Sequence, residues 1–117
     1  MSNTARVTFR VYVAGPYSAD PLVCTLTAID AGDVLLCLGF TPFVPHLTHY
    51  WDARHPHDWD VWMEFCRSWV LACHILLRLP GTSPGADQEV AWATKAGIPV
   101  AYSIEEVQKI AANLHHP

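Results

Sequence analysis

The segment Ile75-Leu76-Leu77-Arg78-Leu79, stopped by Pro80-Gly81, restricts the fold most. A short apolar run without alternation, closed by two chain breakers, fits a strand buried on both faces of a parallel sheet. Parallel strands need crossover connections, which are usually helices, so the flanking segments should be helical. Arg78 is the one polar residue in the run.

The rest of the chain agrees with that demand. Val7, Phe9, Val11 and Val13 form a β-branched and aromatic run that stops at Gly15-Pro16, a first strand ending in a turn. Leu22, Leu26, Ile29, Val34 and Leu38 follow helical spacing over Pro21 to Leu38, with Gly39 at the stop. Phe40 to Val44, flanked by Pro42 and Pro45, predicts a brief second strand. His46 to Pro56 shows no periodicity and reads as a loop. Asp58 is placed to cap a helix carrying Val61, Phe65, Trp69 and Ala72 on one face and ending near Cys73. After the 75–79 strand, Thr82 to Gly85 reads as a loop and Ala86 to Ala96 as a helix closed by Gly97. Ile98 to Tyr102 is a further strand, and Ser103 with Glu106 forms a capping box that opens a final helix through Leu114. The expected fold is α/β, a flavodoxin- or Rossmann-like open parallel sheet of four or five strands with flanking helices.

At 117 residues there is room for one domain, taken as residues 1–117. Hydrophobic residues make up 51% and charged residues 15%, enough apolar material for a core. The formal net charge of −4 opposes attraction to a nucleic-acid polymer or an anionic membrane, but not to a single nucleotide. Met1 to Arg10 lacks the apolar run of a signal peptide, and Val70–Leu79 is interrupted by His74 and Arg78 far short of the roughly 20 residues that span a bilayer. Cys24, Cys37, Cys66 and Cys73 lie in apolar segments without a CxxC pair, as buried thiols of a reducing compartment do, and the cytoplasm is the expected location.

In such sheets ligands bind beyond the carboxyl ends of the strands, which brings together the loops at 14–18, 45–57 and 80–87. Gly81 and Gly85 let backbone approach a ligand, and Ser83, Asp87 and Glu89 present oxygens near a helix start. Ser83 or Asp87 either caps that helix or sits beside a bound anion. Glu89 either complements the helix dipole or acts as a nucleophile. His46, His49, His55 and His57 are close in sequence, but no Cys pair or HExxH pattern accompanies them, and neither metal nor cofactor is expected. Tyr17, Tyr50, Trp51 and Trp59 can stack on a base or pack in the core. Arg78 can contact phosphate or form a structural ion pair.

The segments Val11-Tyr12-Val13-Ala14-Gly15-Pro16-Tyr17, Pro42-Phe43-Val44-Pro45-His46, Leu77-Arg78-Leu79-Pro80-Gly81, Ser83-Pro84-Gly85-Ala86-Asp87-Gln88-Glu89 and Gly97-Ile98-Pro99-Val100 resemble, in order, the nucleoside 2-deoxyribosyltransferase-like superfamily. The chain looks like its small DUF4406 members and is similar to the deoxynucleoside monophosphate N-glycosidases. The resemblance implies a flavodoxin-like sheet and cleavage or transfer at the N-glycosidic bond of a deoxynucleoside 5′-monophosphate or nucleoside. It also implies that Glu89 attacks the anomeric carbon, that Ser83 contacts phosphate, and that neighbouring copies assemble into a homo-oligomer. Gly15, Pro16, Tyr17, Ser83, Gly85 and Asp87 would hold sugar and phosphate, and His46 or an aromatic side chain would meet the base. Cys66 and His74 stand where the family commonly has aspartates. His74 is then either the proton donor or a structural histidine bonded to backbone, and Asp58 and Asp60 are alternative acids. The competing expectation is a nucleotide-binding module that keeps the fold without the chemistry; a third is an interaction protein whose Trp-rich segment is the interface.

Overall fold

The computed structural model describes residues 8–115. Four strands, β1 (Arg10–Ala14), β2 (Thr41–Phe43), β3 (Ile75–Arg78) and β4 (Val100–Ala101), form one sheet in the order β2-β1-β3-β4. Every pairing is parallel. This is the open α/β sheet the sequence predicts, with four strands. The expected start of β1 at Val7 lies outside the described residues.

The helices are α1 (Pro21–Cys37), α2 (Thr48–Arg54), α3 (Trp59–Ala72), α4 (Pro84–Lys95) and α5 (Ile104–His115). Side chains of a strand alternate between faces, and β1 and β3 use both. Val11, Val13, Ile75 and Leu77 pack with Ala28 and Leu35 of α1 and Val107 and Ala111 of α5. Tyr12, Ala14 and Leu76 face the other way, onto Cys66 and Val70 of α3 and Ala86 and Ala93 of α4. Both central strands are therefore buried on both sides, which is why the 75–79 run shows no polar alternation. Among the described residues no helix is long and apolar enough to cross a membrane.

Three expectations change. The 46–56 loop is structured: a single 3₁₀ turn at Pro45–Leu47 runs into α2, held by edge contacts of Trp51 with Trp62 and Phe65 of α3 rather than by any helical periodicity of its own. Asp58 occupies the position before α3 but its side chain makes no capping bond, whereas Asp20 accepts from the Val23 amide and Ser83 from the Ala86 amide. Cys66 and Cys73 are buried as expected, but Cys24 is half-buried and Cys37, on the outer side of α1, is exposed.

The loops after β1 and β3 lean on each other. Gly81 has φ +116°, and a Cβ there would stand 2.6 Å from Cγ of Pro16, so only glycine lets the two turns meet. From β1 the chain crosses to β2 on one side and then returns past β1 to β3 on the other. That reversal opens a crevice at the carboxyl ends of β1 and β3.

Candidate active site

A cavity of about 560 Å³ lies in this crevice. Gly15, Tyr17 and Ser18 come from the turn after β1, and Pro45, His46, His49 and Asp52 from the segment after β2. The connection into α3 and α3 itself add His57, Trp59, Trp62, Met63 and Cys66; Thr82 to Ala86 and Glu89 come from the loop after β3 and from α4.

Glu89 is 7% exposed, in the second turn of a helix whose start is fixed by Ser83 at the N-cap and Pro84 at the first position. Tyr12, wholly buried on β1, donates its hydroxyl proton to Oε2 of Glu89. Burial pushes the Glu89 carboxyl from its ordinary 4.5 to about 7, opposed by the Tyr12 hydrogen bond and the Arg78 charge. Burial, with Glu89 beside it, also raises Tyr12, so the phenol stays a donor. The Cys66 thiol lies against the same hydroxyl, and burial pushes it up to about 11, so it stays protonated. The result is a buried carboxyl on the cavity wall whose one hydrogen-bond donor among the described residues is Tyr12.

The other expected residues divide. Gly15, Tyr17, His46, Ser83 and Gly85 line the cavity with Glu89. Ser83 Oγ accepts from the Ala86 amide at 3.0 Å, so it caps α4 while facing the cavity. A Cβ on Gly85 would meet nothing within 4 Å, which leaves bare backbone at the wall. Pro16 contributes its carbonyl, which accepts from Nε2 of buried His46 at 3.0 Å. Burial lowers the His46 pKa, with the Pro16 and Gly15 carbonyls opposing, so the ring is neutral at pH 7.

Asp87 and His74 do not join them. Asp87 lies on the far side of α4, where it accepts from Arg78 at 2.9 Å in a separate hollow near Tyr102. The Arg78 guanidinium also donates to the carbonyls of Leu79 and Gly81, so it ties the 78–81 turn to α4 and does not enter the crevice. His74 precedes β3, at the amino end of the sheet, where its Nδ1 accepts from the Arg10 amide at 2.9 Å. It sits at the opposite end of the strands from Glu89 and is the structural histidine of the two alternatives. Asp58 and Asp60 are also outside the cavity lining, as are exposed Tyr50 and Trp51.

Asp52, Trp62 and Tyr12 were not anticipated. Asp52 Oδ1 accepts from the His57 amide at 2.9 Å and the Trp62 indole at 2.6 Å. These two bonds hold its carboxyl below the ordinary range. Tyr12 had a signal, a hydroxyl in the middle of an otherwise apolar strand. Among the described residues no three His, Cys, Asp or Glu side chains gather as a metal site.

Fold and site define an open parallel α/β protein with a buried acid at its topological switch point. Over residues 9–102 the chain matches the family described as "Domain of unknown function (DUF4406)", and it belongs to that family. No curated protein was found to match it.

Proposed function

We propose that this protein breaks the N-glycosidic bond of a deoxynucleoside, or of its 5′-monophosphate, with Glu89 as the nucleophile. The observation that carries the reading is the Glu89 side chain, buried on the wall of a cavity that can hold a nucleoside and bonded, among the described residues, only to Tyr12. Attack of a Glu89 oxygen on C1′ expels the base with the bonding electron pair and leaves a glycosyl ester. Water, or a second base, then resolves the ester. An anionic oxygen beside C1′ also stabilises the oxocarbenium character that develops as the bond breaks. The resemblance of the Ser83–Glu89 segment to the deoxyribosyltransferase-like superfamily supports the same chemistry. The exposed apolar residues Leu22, Leu26 and Leu36 on α1 suit assembly with further copies of the chain.

Charge favours the nucleoside over the monophosphate. Asp52 and Glu89 line the cavity, no Lys or Arg does among the described residues, and Pro84 removes one of the amides with which α4 could bind an anion. With a panel of deoxynucleosides and their monophosphates, chromatography should detect free base, with kcat/KM higher for the nucleoside than for its monophosphate. No release from any member would contradict the proposal.

One observation favours a binding module instead. A carboxyl titrating near 7 is half protonated at neutral pH and can serve as a ligand donor. Stabilisation of the fold by nucleosides without turnover would support that reading.

A further inference from the structure

The cavity that holds Glu89 is also lined by His49, and departure of a base from the sugar is helped by a proton. We propose that His49, positioned by Tyr17 and Asp52, protonates a leaving purine; this assignment rests on the glycosidic reading above.

Tyr17 and His49 share a hydrogen bond between the Tyr17 hydroxyl and Nδ1 of His49, and both line the cavity. With Nδ1 so engaged, Nε2 is the ring nitrogen left for a ligand, and no described residue bonds it. Asp52, one turn along α2, is an anion within electrostatic reach of the imidazole. A carboxylate so placed offsets positive charge on the ring. Burial, with the Asp52 charge adding to it, raises the Tyr17 pKa, so Tyr17 remains a neutral phenol that orients the ring and does not compete for the proton. His57 also lines the cavity and its charge acts on Asp52 too, but its ring rests edge-on against Trp62 and, among the described residues, no side chain hydrogen-bonds and orients it as Tyr17 does His49.

The topology leaves room for a base between the two groups. His49 follows β2 and Glu89 follows β3, with β1 between them. Elements two strands apart start about 10 Å from each other, room for a sugar and base in line. In a purine, N7 on the open imidazole edge takes the proton that lets the base leave neutral, and a donor across the cavity from the nucleophile can meet it.

The step balances. Glu89 bonds to C1′, the C1′–N bond breaks, and its electron pair passes to the purine. His49 Nε2 delivers a proton to N7 and becomes neutral imidazole, keeping its Nδ1 hydrogen on the Tyr17 oxygen. Water that later opens the glycosyl ester returns a proton to His49 and regenerates the Glu89 carboxylate.

The test compares deoxyguanosine with N7-methyldeoxyguanosine, whose base is already cationic and leaves without a proton. His49→Gln should lower kcat on deoxyguanosine by about 10²-fold or more, the usual contribution of general acid catalysis, and on the methylated substrate by less than about tenfold. Tyr17→Phe should show the same selectivity to a smaller degree. Equal losses on both substrates, or none on deoxyguanosine, would overturn the donor while leaving Glu89-dependent cleavage in place. If the parent cleaves neither substrate in a Glu89-dependent way, the glycosidic reading fails and the donor fails with it.

Discussion

At pH 8, Glu89→Gln is expected to melt on the order of 10 °C above the parent and to release no measurable base. Both effects follow from the buried carboxyl. In the unfolded chain it ionises at its ordinary 4.5, while in the folded protein it keeps its proton to about 7. The parent therefore loses stability as pH rises from 4.5 to 7, because ionisation favours the unfolded chain, and stays at the lower level above 7. A gap of that size corresponds to about 3 kcal/mol. Glutamine does not ionise and can still accept from Tyr12, so the variant escapes the loss. The two proteins should melt alike near pH 4 and diverge by pH 8, as differential scanning calorimetry can follow. The same substitution removes the nucleophile, and kcat should fall about 10³-fold or more. In the parent the rate on N7-methyldeoxyguanosine, which leaves without a proton, should rise with pH through about 7, as the attacking form appears. A variant less stable than the parent at pH 8 would mean that the carboxylate is held by favourable contacts, not strained by burial.

Tyr12→Phe should have the next largest effect. Phenylalanine keeps the packing against Phe43, whose ring centroid lies 5.6 Å away, and removes only the hydroxyl under Glu89. The carboxyl loses the hydrogen bond that opposes its rise, so the acid limb of the rate profile should move upward. Activity on N7-methyldeoxyguanosine at pH 7 should drop about tenfold and recover toward pH 9, with about 1–2 kcal/mol lost from stability because a buried acceptor is left unpaired. An unmoved limb with a uniformly lower rate would make Tyr12 a packing residue and nothing more.

Much of this architecture was legible before any coordinates. Gly15-Pro16 and Pro80-Gly81 end strands at the edge where ligands bind, and the strand ends place Glu89, Ser83 and Gly85 in one crevice. What escaped depends on tertiary contact. The helix at 48–54 has no amphipathic signature because Trp51 is its anchor, and a single aromatic does not make a period. Asp52 could not be found because its partners, the His57 amide and the Trp62 indole, lie across a turn. His74 and His49 are alike in composition. Only the sheet's direction shows that one precedes β3 and bonds Arg10, while the other follows β2 and faces the crevice. Asp87 and Glu89 are two residues apart, and on a helix that spacing sends them to different sides.

The covalent step itself can be seen directly. Acid quenching during turnover of deoxyguanosine, followed by proteolysis and mass spectrometry, should find a deoxyribosyl ester on the peptide that carries Glu89 and none in Glu89→Gln. Base released by the parent with no sugar on that peptide, and with Glu89→Gln equally active, would contradict the assignment of Glu89 as the attacking group.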